Sequence, residues 1–133
     1  MSRLMIDTSG YSALTRMHAD IERAVEAAQE VYVSPVVLGE LHFGFQQGDR
    51  QAGNEAKLRR FLETPGVIVS TIGPETALCY AAIRSYLKET GTPIPANDMW
   101  IAAGAMEHGL RVITTDAHFR RVRQVIVDCY PVA

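Results

Sequence analysis

Cysteine is scarce in this chain, limited to Cys79 and Cys129, and the two have neither the C-x-x-C spacing of a redox pair nor the crowding of a disulfide framework. They are expected to be buried, reduced thiols of a cytoplasmic protein with no part in catalysis. Long hydrophobic runs are missing as well. The apolar stretches VYVSPVVL, VIVSTI and IAAGAM fall far short of the about 20 residues that cross a bilayer, and MSRLMIDTSG has no apolar segment followed by a cleavage site. Neither a membrane nor an exported destination is expected. Positive charge is not in excess: 13 Lys and Arg against 15 Asp and Glu leave a formal −2, which argues against holding nucleic acid through a broad basic face. The arginines are uneven, with Arg59 beside Arg60 and Arg111, Arg120, Arg121 and Arg123 in the last quarter. They read either as solvated helix faces or as a local positive rim.

What is present is ordinary globular composition, 47% hydrophobic and 21% charged over 133 residues, enough for one core and too little for two. One domain over residues 1–133 is expected. The run RLMID is a buried strand ending in a carboxylate, followed by the turn-like cluster Thr8-Ser9-Gly10. Helical spacing over 9–17 and 20–30 predicts one broken helix or two short ones. VYVS, closed by Pro35, is a second strand, and 36–48 is a helix with Val37, Leu41 and Phe45 on one face. A helix over 50–64 carries Leu58, Phe61 and Leu62; VIVSTI is a third strand; 75–91 is a long helix ending at Gly91. The segment 96–109 is a helix with Ile101 and Ala105 sharing a face, RVITT a fourth strand, and 124–130 a fifth. Strands alternating with helices imply an α/β fold with a mostly parallel sheet of four to five strands, covered by helices on both faces.

In such a sheet the functional crevice lies beyond the carboxyl ends of the strands. Asp7 and Asp116 end the first and fourth strands, and Glu40 and Asp98 sit near the starts of two helices, so four acids from distant segments can converge there. Each has a simpler reading alone: an Asx turn for Asp7, a helix N-cap for Asn97 or Asp98, a cap of the next turn for Asp116, a solvated position for Glu40. Together they read differently. Two like charges 4 Å apart repel by roughly 4 kcal/mol at an effective dielectric near 20, so four carboxylates in one place require cations. Oxygen donors alone suit Mg2+ or Mn2+ rather than zinc, and a divalent ion held by carboxylates is the outline of a phosphodiester-cleaving site. Two such ions would also turn the formal −2 into +2, which removes the objection from charge.

Three segments, LMIDTSGYSAL, SPVVLGELHFG and IPANDMWIAAGAMEHGLRVITTDAHF, in this order and spacing, resemble the PIN-domain ribonucleases, and within them the VapC-like toxins of bacterial toxin–antitoxin pairs. The resemblance covers essentially the whole chain. It implies a three-layer α/β/α fold, with Asp7, Glu40, Asp98 and Asp116 as the catalytic, metal-binding quartet. Ser9, Asn97 and Thr115 match the family's supporting polar positions. It further implies Mg2+- or Mn2+-dependent cleavage of structured RNA, tRNA or ribosomal RNA, together with homodimers and inhibition by an antitoxin that lies over the site. A further polar residue, often found near the last acid of the family, has no clear counterpart in Ala117 and His118.

Trp100, Met99 and Met106 read as packing rather than base-stacking residues. Tyr11 and Phe43 fit a dimer contact or the core equally. His42 and His118 fall near Glu40 and Asp116 but stand outside the expected ligand set. A receiver-like phosphoacceptor needs an aspartate after the third strand, which VIVSTI lacks, and an aspartate-nucleophile phosphatase wants DxD where this chain has DTS. The remaining alternative keeps the fold and changes the role, to a housekeeping RNA-processing nuclease or an RNA-binding module.

Overall fold

Leu4, Met5 and Ile6 are buried on both faces of strand β1, Arg3–Ile6, as expected of a strand in the middle of a parallel sheet. The structure, a computed structural model, describes residues 2–132. Strand β1 pairs in parallel with β2, Glu30–Val33, on one side and with β4, Arg111–Thr114, on the other. Beyond them lie β3, Val67–Val69, and β5, Val127–Cys129, also parallel, giving the order β3-β2-β1-β4-β5. The chain builds outward from β1 to β3, then returns to the far side of β1 for β4 and β5. The strand order therefore reverses between β1 and β4, the place where open α/β sheets characteristically form a binding crevice.

Among the described residues six α-helices flank the sheet: α1 (Thr8–Thr15), α2 (Ala19–Ala27), α3 (Pro35–Gln47), α4 (Gln51–Glu63), α5 (Pro74–Thr90) and α6 (Ala96–His108). The segment after β1 is thus two short helices, broken where Met17 takes a positive φ of 60° and His18 starts α2 by accepting the Ile21 N–H. Thr8-Ser9-Gly10, expected as a turn, is instead the first turn of α1, because the Asp7 side chain caps it. Val37, Leu41 and Leu58 reach the core from α3 and α4, with Phe45, Phe61 and Leu62 packed against it. In α6 burial extends well beyond the shared face of Ile101 and Ala105 to Ala102, Ala103 and Gly104, and a Cβ at Gly104 would meet Met5 Cε at 3.1 Å. Small residues let this helix lie close to the sheet. α6 packs against α5, where Trp100 stacks on Tyr80 with centroids 4.1 Å apart, and Met99 is buried.

Two strands are shorter than their sequences suggest. β3 stops at Val69, after which Ser70 bonds back to the Val33 carbonyl at 2.9 Å. β5 begins only at Val127, and the Arg111 guanidinium grips Asp128 through two bonds of 2.7 and 2.8 Å to tie it to β4. Cys79 and Cys129 are free thiols, half-buried rather than fully so. Among the described residues no helix is long and apolar enough to cross a membrane.

Candidate active site

Asp7 follows β1 at the point of strand reversal, its own N–H donating to the Ile113 carbonyl of β4 at 3.3 Å. It is 3% exposed, an unusual place for a carboxylate. Three donors compensate: the Gly10 N–H at 2.7 Å, the Ser9 hydroxyl at 2.9 Å and the Thr114 hydroxyl at 2.8 Å. Gly10 is required for this approach, since a Cβ there would lie 2.7 Å from the Ile113 carbonyl oxygen and 3.0 Å from Asp7 Oδ1. Burial nevertheless holds the Asp7 carboxyl above its ordinary range, the three donors pulling the other way and the charge of Asp98 adding to the rise.

Asp98 is in the first turn of α6, but it caps nothing; Pro95 holds the N-cap position with no side-chain bond, so the capping readings of Asn97 and Asp98 do not hold. Its carboxyl is also raised, first by burial and then by the charges of Glu40 and Asp116, against the opposing His118 ring. Asp98 is thus raised by Glu40 and Asp116 and in turn raises Asp7, so it couples to each of the other three acids. Glu40, on the second turn of α3, is held by the Thr8 hydroxyl at 2.5 Å and by the Asn97 amide at 3.3 Å. Asp116 follows β4 and caps the short 3-10 turn Ala117–Arg121 by accepting the His118 N–H at 3.1 Å.

Asp7 after β1, Glu40 on α3 and Asp116 after β4 thus each lie close enough to Asp98 on α6 for their charges to couple. The supporting residues are placed unevenly. Ser9 bonds Asp7, and Asn97 reaches Glu40, but Thr115 enters only through its backbone N–H, which donates to Ser9 Oγ at 3.1 Å. The hydroxyl on Asp7 belongs to Thr114, opposite Asp7 in the continued β1–β4 register, and Thr114 Oγ1 also accepts the Asp116 N–H at 2.9 Å. Nothing local in the sequence marks Thr8 as the partner of Glu40 either. His42 pairs with Glu55 away from the crevice, whereas His118 lies inside it, Nε2 at 2.7 Å from Asp98 and Nδ1 at 2.9 Å from Asp116. The sequence signal for that histidine was its D-x-H spacing, too short and common to decide anything alone.

The donor set fits a hard divalent cation. Ligand atoms of Asp98, Asp116 and His118 lie within 4.8 Å of one another, and Asp7 and Glu40 flank them with further carboxylate oxygens. The Asp7 and Asp98 carboxyls, raised first by burial and then by neighbouring acids, are perturbed in the way functional carboxylates are.

A parallel sheet of this order with acids gathered at its reversal point defines the class, and the PIN domain family matches residues 4–125: the chain belongs to that family. Its relatives include the ribonuclease VapC4 of Mycobacterium tuberculosis, 33% identical over 129 residues that cover 94% of this chain and 95% of the relative. Toxin FitB of Neisseria gonorrhoeae is 34% identical over 93 residues, 66% of either chain. Among solved structures, VapBC2 from Rickettsia felis, bound to a DNA fragment from its promoter, shares the fold with a TM-score of 0.84 at 23% identity, covering 94% of this chain and 96% of that one.

Proposed function

We propose that this protein is a Mg2+- or Mn2+-dependent endoribonuclease, the toxin of a toxin–antitoxin pair, which cuts structured RNA, tRNA or ribosomal RNA, by attack of water on a phosphodiester. The observation that carries the proposal is the position of Asp98, within electrostatic reach of Asp7, Glu40 and Asp116 at the strand-reversal crevice. Near full-length similarity to a ribonuclease and similarity to a protein named as a toxin support it.

In this reading Asp7, Glu40, Asp98 and Asp116 hold the ion. When bound, the ion offsets phosphate charge and supplies the acidity that makes a water nucleophilic near neutral pH. The protein's own residues fix the geometry. Ser9, Thr114 and the Gly10 N–H keep Asp7 from turning, and Thr8 and Asn97 aim Glu40 from opposite sides. Water oxygen bonds to phosphorus, the bond to the leaving sugar oxygen breaks, and that oxygen takes up a proton. A partner antitoxin, a homodimer and a cytoplasmic setting belong to the same proposal.

The test is incubation of the purified chain with total tRNA and ribosomal RNA in Mg2+ or Mn2+, with EDTA and Asp98→Asn as controls. Discrete fragments absent from both controls are expected. Intact RNA with folded, partner-free protein in either metal would overturn the endoribonuclease reading. Growth arrest on induction, lost in Asp98→Asn, separates a toxin from a housekeeping nuclease.

A further inference from the structure

His118 occupies the space between two carboxylates of the crevice, and its surroundings leave it little freedom. Its neighbour Phe119 is fully buried and anchors the 3-10 turn, while its own N–H is tied to Asp116 Oδ1. The ring has one nitrogen against each acid, Nε2 toward Asp98 Oδ2 and Nδ1 toward Asp116 Oδ1. The other three histidines are engaged elsewhere: His18 with the Pro131 carbonyl, His42 with Glu55, and His108 in a stack on Tyr32. A solvated surface histidine would not have a carboxylate within 3 Å of each ring nitrogen.

Building on the metal site proposed above, we propose that His118 is itself a ligand of the ion, through Nε2, and that this nitrogen biases the site toward Mn2+ over Mg2+. The ligand atoms of Asp98, Asp116 and His118 already lie within 4.8 Å of one another. Nδ1 lies 2.9 Å from Asp116 Oδ1, and ligation through Nε2 exchanges its hydrogen bond to Asp98 Oδ2 for the ion; a carboxylate beside the far nitrogen helps to orient a ligating imidazole. Mg2+ takes oxygen donors and sheds water reluctantly, whereas a first-row ion accepts imidazole nitrogen beside carboxylate.

The experiment is electron spin-echo envelope modulation of the Mn2+ complex, prepared from protein with natural and with 15N-labelled histidine, beside calorimetric titrations with Mn2+ and Mg2+. Wild-type protein should show nitrogen modulation that changes on labelling. His118→Gln should abolish it and weaken Mn2+ binding by about tenfold or more, since even residues behind a ligand cost that much. Mg2+ affinity should change far less, and an unchanged melting profile establishes that the variant is folded. The labelled wild-type spectrum needs no variant at all. Mn2+ bound in wild type and lost in Asp98→Asn, but without nitrogen modulation, would overturn the role of His118 and leave the carboxylate site standing. Modulation that persists in His118→Gln would also overturn it. Wild-type protein that binds no Mn2+ would remove both readings.

Discussion

Burial and the charges of Glu40 and Asp116 hold the Asp98 carboxyl above its ordinary 3.8, with only His118 opposing them, so its ionisation works against folding. For a raised carboxylate the stabilising contribution is complete below 3.8 and is lost as pH rises through the folded-state value. Asp98→Asn should therefore melt at a higher temperature than wild type at neutral pH in EDTA, and the gap should close toward pH 3.8. Equal melting temperatures across that range in thermal denaturation would sink the idea. Adjacent threonines offer a sharper comparison. Thr114→Val removes a donor from buried Asp7 and an acceptor from the Asp116 N–H and should cost about 1 to 3 kcal/mol, while Thr115→Val should be near neutral because its backbone N–H does the bonding. Urea melts of the two variants check the order. The sequence pointed to Thr115 because it precedes Asp116; which hydroxyl meets Asp7 is fixed by β1–β4 register, which no local motif encodes. Asp7 and Asp116 were legible as strand ends, where apolar runs stop at an aspartate, whereas Glu40 and Asp98 rested on helix starts and on the family resemblance. His118 was not, because its place between two acids depends on α6 meeting a 3-10 turn.

At the level of elements, Asp7 and Asp98 stand at the starts of two helices in unlike ways. Asp7 caps α1, so the cluster Thr8-Ser9-Gly10, read as a turn from composition, becomes helix as soon as that cap is made. α6 starts on Pro95 with no side-chain cap. Asp7→Ala should accordingly lose about 1 to 2 kcal/mol from the missing cap, beyond any effect on the ion site, whereas Asp98→Ala should lose none on that account. Gly10→Ala should be worse placed still, about 2 kcal/mol or more, because the added methyl meets the Ile113 backbone carbonyl, which has no room to yield. Circular dichroism melts in EDTA test all three, and a Gly10→Ala protein as stable as wild type would contradict the packing described. Helix existence was readable from spacing throughout. The strand lengths were not: VIVSTI and QVIVDCY are apolar enough to continue, but Ser70 turns back onto Val33 and β5 pairs only from Val127.

For the whole molecule, the formal −2 leaves little long-range attraction for RNA until the crevice is neutralised. Divalent ions should stabilise the folded chain by mass action, by about 2.7 kcal/mol at a hundredfold excess over Kd, visible as a rise in melting temperature that EDTA reverses and Asp98→Asn lacks. No shift in wild type with either Mg2+ or Mn2+ would count against an ion site at the crevice. Exposed Phe43 and Leu78, at 65% and 66%, are large apolar groups left uncovered by this chain, whereas Tyr11 is buried against Phe61. Light scattering should give twice the 14.7 kDa chain mass if a second copy covers such surface, and the monomer mass would exclude the homodimer.

Because Asp7 is at once a helix cap and a wall of the crevice, its loss and the loss of Asp98 leave different molecules behind. On the proposed activity, a lineage that loses function at Asp98 keeps a helix start that never depended on that side chain. Silencing at Asp7 erodes the protein itself. Natural decay of activity in chains of this architecture would then leave inert but intact decoys far more often through the third acid than through the first.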